Sequence, residues 1–284
     1  MLWKKKKPQE TPKELLNITT KNGQIAAVEN YNSFQTRAES SLKQVLDAIK
    51  LGIPQHDIKL SLHTGDFPTE QLVKGNFYYC CDKKTDLDFV FPDFIFDHWQ
   101  QAGIPDFKKT VSEICAEAEK PYIYSRMLWI GNTQTHPIRK KIIEYAEQYP
   151  DHIEAYNTYV DQAVIGGKKD IPYISLIDHT HYKYLIDIEG RGYSGRIKML
   201  LFTKRLLFIQ DRQWKSYYHF ELEPYKHFIP VKNDLSDLME QIRFVEQQGD
   251  DYYKNIVQNA YDFAVENLQY EKAVQRIQKL ISNL

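Results

Sequence analysis

The stretch 186-IDIEGRGYSGRIKMLLFTKRLLFIQ-210 decides the fold of this 284-residue chain. It contains a loop with three glycines that leads directly into long apolar runs. The spacing of the apolar residues in 197–203 predicts a helix, and the short run 205–210 predicts a strand. A glycine loop followed by a helix and then a strand is typical of an α/β protein.

Strands and helices also alternate along the rest of the chain. Short apolar runs predict further strands at 58–62, 76–81, 122–131, 173–178 and 228–231. Helical spacing predicts helices at 33–51, 106–119, 138–149, 233–247, 250–266 and 270–283, the fourth of them capped by Asn233 or Asp234. This alternation predicts the α/β class with mainly parallel sheets, in two halves that meet near residue 120 across a cleft.

The composition excludes several classes of protein. With 37 basic and 38 acidic residues the net charge is -1, so no overall charge draws the chain to nucleic acid. No apolar run approaches the ~18 residues that span a bilayer. The three cysteines Cys80, Cys81 and Cys115 lack metal-binding spacing and are expected to be free thiols in a reducing cytosol. The lysines of 4-KKKK-7 either contact an anionic membrane face or form a solvated tail.

The loop 190-GRGYSGR-196 has the composition of an anion site. Glycine lets backbone N–H groups approach a diphosphate closely, and a helix that follows adds partial positive charge at its N-terminus. Ser194 adds a hydroxyl donor, Arg196 a planar fork for two phosphate oxygens, and Lys198 a point charge. The loop therefore predicts a phosphate site, although the same pattern also suits a purely structural turn before a helix.

The second candidate lies far upstream, in 62-LHTGDFP-68. A carboxylate at the end of a strand, in a glycine turn before proline, is well placed to project into a cleft. Asp66 could therefore accept a proton from an attacking hydroxyl group as a general base. Ordinary turn chemistry explains the same residues equally well.

Two patterns raise the possibility of a metal site. The stretch 86-DLD-88 resembles the D-x-D with which some sugar transferases hold a divalent cation, and it also reads as the start of a strand. His179 and His181 form a His-x-His beside Asp178, but no third ligand of matching spacing stands out. The preferred interpretation is that there is no metal site.

The motifs occur in a familiar order. The chain resembles glycosyltransferase family 90, the capsule-associated and lipopolysaccharide-A-type enzymes related to Rumi-type protein O-glucosyltransferases. The resemblance covers about residues 20–270. It is carried by 176–210 with Trp214 and 217–238, and upstream by 65-GDFP-68, 89-FVFPDFIFDHW-99 and 129-WIGNTQTHPIR-139.

The resemblance implies a GT-B fold, with two Rossmann-like domains facing across a cleft. It implies inverting transfer from a UDP-sugar substrate without metal or other cofactor, Asp66 as the base and Arg196 on the donor diphosphate. The expected donor-binding residues are Gly131, Asn132, Thr133, Arg139, Gly190, Tyr193, Ser194, Gly195, Arg196 and Lys198. Further active-site candidates are Asp178, His179, Asp93 and Trp214.

This sequence departs from the family at one donor contact, because Ile130 stands where the family has arginine, which Arg126 or Arg191 could replace. The secretory signal and disulfide cysteines of the eukaryotic members are also absent. The expectation is a bacterial-type cytoplasmic enzyme, peripheral to the inner membrane through its lysines, that modifies a glycan or lipid-linked glycan of lipopolysaccharide or another surface polysaccharide. The alternatives are a metal-dependent transferase using Asp86 and Asp88, or a non-catalytic nucleotide-sugar-binding protein.

The expected domains follow from the same interpretation. Residues 1–19 form a tail, and 20–118 form the acceptor-side domain. Residues 119–264 bind the donor, and 265–284 form a helix that packs back on the first domain.

Overall fold

A computed structural model describes residues 14–69, 72–158 and 174–284. The first lobe carries four strands and two α-helices: β1 Leu15–Lys21, β2 Gln24–Tyr31, α1 Gln35–Lys50, β3 Ile58–His63, β4 Asn76–Phe77 and α2 Phe107–Ala118. Three short 3-10 helices lie between β4 and α2.

The first sheet has the strand order β2-β1-β3-β4, and only its β3–β4 pair is parallel. The expectation of mainly parallel sheets is therefore wrong for this lobe. Asn22 and Gly23 both have positive φ, 50° and 72°, in the two-residue turn between β1 and β2. Asn-Gly is the strongest short signal for such a hairpin. Because β1 begins at Leu15, the tail expected for residues 1–19 does not extend beyond Glu14.

The second lobe contains a five-stranded parallel sheet with helices. Its elements are β5 Tyr124–Gly131, α3 Ile138–Gln148, β6 Ile153–Asn157, β7 Tyr182–Asp187, α4 Ile197–Leu201, β8 Leu206–Gln210, β9 Ile229–Val231, α5 Leu238–Gln248 and α6 Asp250–Asn267. The strand order is β6-β5-β7-β8-β9. The chain runs outward in opposite directions from β5 and β7, and ligands of such sheets bind where the order reverses.

The central strands of this sheet are buried on both faces. All five residues of β8 are buried, as are five of the six residues of β7. Strands covered by helices on both sides read as continuous apolar runs, which explains the apolar character of 205–210.

Three predicted elements differ from the structure. Residues 174–177 form no strand, because Asp178 accepts hydrogen bonds from the N–H and the hydroxyl of Ser175 and holds a turn. Helix α5 begins at Leu238 rather than at the predicted cap, since the Asp234 carboxylate accepts from the N–H of Ser236 in a separate turn. The predicted strand 76–81 is limited to Asn76–Phe77, followed by isolated bridges.

The contacts between the two lobes include a buried ion pair and the packing of the last helix. The buried ion pair between Asp93 and Lys198 links the first lobe to α4. Helix α7, Tyr270–Ser282, packs on the first lobe, where the Tyr270 hydroxyl donates to Asp47 at 2.6 Å. The α/β class is confirmed, with one sheet and its helices in each lobe.

Candidate active site

A group of charged side chains lies at the carboxyl ends of β5 and β7. Ile130 lies near the end of β5, and the register of the sheet places it beside Asp187, the last residue of β7. Asp187 is 1% exposed. Its position corresponds to the point where the strand order reverses, which is where open α/β sheets bind ligands.

Asp187 binds three side chains. Oδ1 accepts from the Ser194 hydroxyl at 2.9 Å and from Nε and Nη2 of Arg196, both at 3.2 Å. Oδ2 lies 2.7 Å from Nη1 of the buried Arg212. Burial raises the pKa of Asp187, but the charges of Arg212 and Arg196 outweigh it, so the pKa is lowered. The Ser194 hydroxyl was expected to donate to a phosphate, and in the structure it donates to Asp187 instead.

Arg196 also binds the other strand, since Nη1 donates to the Ile130 carbonyl at 2.6 Å. Its side chain is 21% exposed. Three of its five N–H groups are engaged by Asp187 and Ile130, which leaves one on each terminal nitrogen. Asp187 and Ile130 therefore fix the orientation of the Arg196 guanidinium, and its two remaining N–H groups can bind an anion.

Arg139 ties the ends of β5 and β7 together. It donates to the carbonyls of Asn132, Ile188 and Glu189 at 2.8 to 3.2 Å, and it lies over the ring of Trp129. Burial and then the charge of Arg196 lower its pKa to about 10. The expected direct phosphate contact of Arg139 is thus replaced by backbone contacts in this structure.

Lys198 does not reach the loop surface, which corrects the expectation that it binds phosphate. Its side chain is fully buried, and Nζ lies 2.8 and 3.0 Å from the two carboxylate oxygens of Asp93. The same nitrogen donates to the Gly195 carbonyl at 2.9 Å. Asp93 is itself 1% exposed and also accepts from the Ile95 N–H. Both residues hold the loop and the lobes together rather than facing a ligand.

The glycine loop lies directly against the turn that carries Asp66. The Tyr193 N–H approaches the Asp66 carbonyl at 3.4 Å. A Cβ atom on Gly192 would lie 1.9 Å from that oxygen, so only glycine fits there. Similarly, a Cβ on Gly195 would lie 2.1 Å from the side chain of Ile95. The structure thus brings together two motifs that are more than 120 residues apart.

Asp66 itself is partly open, with a side chain 37% exposed. Nη2 of Arg37, on α1, donates to its Oδ1 at 2.9 Å. Nη1 of Arg37 donates to the Thr64 carbonyl. One carboxylate oxygen of Asp66 is therefore fixed by an arginine, and Oδ2 has no described partner.

An aromatic pair flanks the same turn. The rings of Phe67 and Trp214 stack with centroids 5.6 Å apart and an interplanar angle of 15°. Phe67 is 39% exposed. Trp214 comes from the second lobe, so this expected active-site residue lies next to Asp66 in space.

The remaining candidates have mainly supporting roles. His179 is buried, and its Nδ1 lies 2.7 Å from the Ser175 carbonyl. Burial and then the charge of Arg196 lower the pKa of His179 to about 4. Asp178 points to Ser175 with a side chain 40% exposed, so its carboxylate caps a turn rather than entering the group around Asp187.

The 131–133 turn after β5 is stabilised by local contacts. The Asn132 carboxamide accepts from the Gln134 N–H, and the Thr133 N–H donates to Asn157 at 3.1 Å. Gly131 and Gly190 both lie against Arg139. Tyr193 packs beside Tyr79, and burial raises its pKa.

The residues of the two possible metal patterns lie apart from one another in other contacts. No three histidine, cysteine, aspartate or glutamate residues in the part of the chain that the structure describes gather as metal ligands. Asp86 and Asp88 lie in a 3-10 helix whose Leu87 carbonyl accepts from Arg276 of α7. His181 faces Glu117, away from the buried His179.

The membrane contact expected of Lys4 to Lys7 cannot be followed in the structure, because these lysines lie outside the described residues. Among the described residues, no helix has the length and apolar character of a membrane span.

The sequence interpretation did not include three residues of the candidate site: Asp187, Arg212 and Arg37. Asp187 was inside the quoted stretch, at the end of the apolar run where a parallel strand ends. A buried-strand pattern that stops at a carboxylate could have indicated it. No local pattern distinguishes Arg37 or Arg212 from surface arginines.

The sequence of this chain is similar to those of known glycosyltransferases. The model of the family described as Glycosyl transferase family 90 matches residues 5–283. Protein O-glucosyltransferase 1 of Rattus norvegicus is 32% identical over 147 residues, which are 50% of this chain and 37% of that protein. O-glucosyltransferase rumi of Drosophila melanogaster is 27% identical over 255 residues, 79% of this chain and 61% of that protein. The chain thus spans only part of the length of these relatives.

Solved structures show weaker similarity. The C-terminal domain of a glycosyl transferase group 1 family protein from Francisella tularensis aligns with a TM-score of 0.37 at 12% identity, covering 55% of this chain and 92% of that one. A glycosyltransferase from Rickettsia africae aligns with a TM-score of 0.37 at 14% identity, covering 62% and 44%.

Proposed function

Because this chain belongs to glycosyl transferase family 90, we propose that it transfers a sugar from a UDP-sugar to a hydroxyl group of a glycan, with inversion. The observation that carries the proposal is the contact between the Asp66 turn and the glycine loop. Gly192 and the Asp66 carbonyl touch, so a candidate base and a candidate diphosphate site lie side by side.

In the proposed reaction, Asp66 accepts the proton of the acceptor hydroxyl through its free oxygen, Oδ2. The acceptor oxygen attacks the anomeric carbon, and the bond from that carbon to the diphosphate oxygen breaks. The electron pair of this bond leaves with UDP. Arg196 and the positive group around it stabilise the negative charge that grows on the diphosphate.

Charge supports this assignment of the donor site. Three arginines, Arg139, Arg196 and Arg212, lie near two carboxylates, Asp187 and Glu189, so these five residues together are net positive. The acceptor would approach on the opposite side, over the Phe67–Trp214 stack beside Asp66. Aromatic faces suit the apolar face of a sugar ring.

The first test is Asp66→Asn, which keeps the shape of the side chain and removes its basicity. We expect transfer to fall by roughly 100-fold or more, while UDP affinity measured by calorimetry stays within a factor of about two. Asp57→Asn, on an exposed loop before β3, is the matched control and should retain full transfer. Full activity in Asp66→Asn would refute the base assignment.

The donor is tested with a panel of UDP-sugars beside GDP-, CMP- and NAD-type controls. UDP-glucose comes first, because the two relatives are named O-glucosyltransferases. We expect one UDP-sugar to raise the melting temperature and to release UDP, both with and without chelator. Loss of activity on chelation would favour the metal-dependent alternative, and binding without turnover would favour a non-catalytic protein.

We also propose that the acceptor is a lipid-linked surface glycan met in the cytoplasm at the inner membrane face. The four lysines of 4-KKKK-7 support this, since each contributes about 1 kcal/mol near an anionic membrane. Deleting residues 2–7 should lower recovery on anionic vesicles and leave transfer to a soluble acceptor intact. Unchanged recovery would contradict the membrane contact.

A further inference from the structure

We propose that Asp187 is a positioning residue for the donor diphosphate, acting through Arg196 without touching the donor itself. This inference rests on the proposed function. Asp187 is 1% exposed and lies behind Arg196 at the carboxyl end of β7. It therefore acts on a ligand only through the side chains that it holds.

The contacts of Oδ1 define the orientation of Arg196. Both Nε and Nη2 of Arg196 approach this oxygen at 3.2 Å, and Nη1 is fixed separately by the Ile130 carbonyl at 2.6 Å. A planar guanidinium bound at three nitrogens has no freedom to turn. The remaining N–H groups, one on each terminal nitrogen, are presented on the partly exposed side.

The same oxygen also holds the loop. The Ser194 hydroxyl donates to Oδ1 at 2.9 Å, two residues before Arg196. The Arg196 N–H in turn approaches the Ser194 hydroxyl oxygen at 3.4 Å. One carboxylate oxygen thus fixes both the loop backbone and the side chain that the loop carries.

Arg212 prevents Asp187 from turning. Its Nη1 lies 2.7 Å from Oδ2, and its Nη2 donates to the Asp187 carbonyl at 2.9 Å. Arg212 is 3% exposed. Arg212, Asp187 and Arg196 therefore form a chain of charged contacts that begins in the core and ends at the diphosphate site. Such preorganisation is what makes an electrostatic site effective.

The test is a double-mutant cycle on UDP binding, measured by calorimetry for wild type, Asp187→Asn, Arg196→Ala and the double variant. We expect each single variant to weaken UDP binding roughly tenfold, and the double variant to bind about as weakly as Arg196→Ala alone. Asp262→Asn, an exposed aspartate on α6, is the matched control and should bind UDP as wild type does.

A second readout separates positioning from general damage to the site. If Asp187 acts through the group that binds the diphosphate, Asp187→Asn should weaken UDP more than UMP, which has one phosphate fewer. The inference is overturned if Asp187→Asn weakens UDP and UMP binding equally. It is also overturned if the losses of binding free energy in the two single variants add up in the double variant. In both cases the proposed function stands. Wild-type protein that binds no UDP would instead overturn the proposed donor, and this inference with it.

Asp187→Asn breaks a buried ion pair and could prevent folding. Arg196→Lys then provides the test on a partly exposed residue. Lysine keeps the charge but cannot contact Asp187 and Ile130 together in one plane. We expect a loss of UDP affinity close to that of Arg196→Ala. Wild-type affinity in Arg196→Lys would show that charge alone suffices and that orientation by Asp187 is not needed.

Discussion

Arg37 shows how a single residue on a helix can prepare a base in a distant turn. Its guanidinium binds one oxygen of Asp66 and the Thr64 carbonyl, and it packs against the rings of Phe34 and Phe94. Arg37 therefore orients Asp66 and leaves its second carboxylate oxygen, Oδ2, open.

Replacing Arg37 tests this role. In Arg37→Met we expect transfer to fall roughly ten- to 100-fold, because the carboxylate loses its fixed orientation. Arg243→Met, on an exposed face of α5, is the control. Wild-type transfer in Arg37→Met would contradict the orienting role.

At the level of elements, the site depends on the close approach of two loops. The turn after β3 carries Asp66, the loop after β7 carries Arg196, and Gly192 is the point of contact between them. The Phe67–Trp214 stack provides a second contact across the lobes. Each loop alone has ordinary turn chemistry, and the active geometry arises only from their packing.

Gly192→Ala should separate the loops. The added Cβ meets the Asp66 backbone oxygen at 1.9 Å, so one loop must shift. We expect transfer to fall at least roughly tenfold, with a loss of about 1–3 kcal/mol in the free energy of unfolding. Gly52→Ala is the control: its φ of 98° strains an alanine, but nothing lies within 4 Å. That variant should lose stability and keep transfer, whereas normal transfer in Gly192→Ala would contradict the packing argument.

At the scale of the whole molecule, one buried ion pair joins the lobes. Lys198 on α4 and Asp93 of the first lobe are 0% and 1% exposed. Burial lowers the pKa of Lys198, and the charge of Asp93 opposes that effect. The lysine that the sequence assigned to phosphate therefore stabilises the interface.

Lys198→Met should leave Asp93 buried without its partner. We expect the free energy of unfolding to fall by about 3–5 kcal/mol, as measured by urea denaturation. The double variant Asp93→Leu with Lys198→Met should recover part of that loss. Folded Lys198→Met should bind UDP normally, whereas a specific loss of UDP affinity at normal stability would restore the phosphate role.

Two buried histidines make stability depend on pH. Burial lowers the pKa of His179 to about 4 and that of His219 to about 3. Between these values and the ordinary pKa of about 6.5, the unfolded chain binds more protons, so stability falls as pH falls. Between pH 7.5 and pH 5, the protonation of His179 in the unfolded chain should lower the free energy of unfolding by about 2 kcal/mol. In denaturation experiments, the free energy of unfolding of His179→Gln should fall correspondingly less between pH 7.5 and pH 5. A fall as large as that of the wild type would contradict this.

The parallel second lobe was predictable because its signals are local. Strands buried on both faces read as apolar runs, as in 205–210, and the helices α6 and α7 were found close to their observed bounds. The hairpin of the first lobe had a local signal too, Asn22-Gly23, which was overlooked. The loop 174–177 was mistaken for a strand because side-chain hydrogen bonds from Asp178 override its apolar pattern.

The sequence by itself determined the family, the α/β class and the two motifs whose loops are in contact. It could do so because motif order and apolar periodicity are properties of the linear sequence. Only the tertiary structure decided which charged residue faces which. It placed Lys198 on Asp93, Arg37 on Asp66, and Asp187 between Arg196 and Arg212. The partner of a charged side chain depends on burial and on distances between remote segments, and neither is encoded in local spacing.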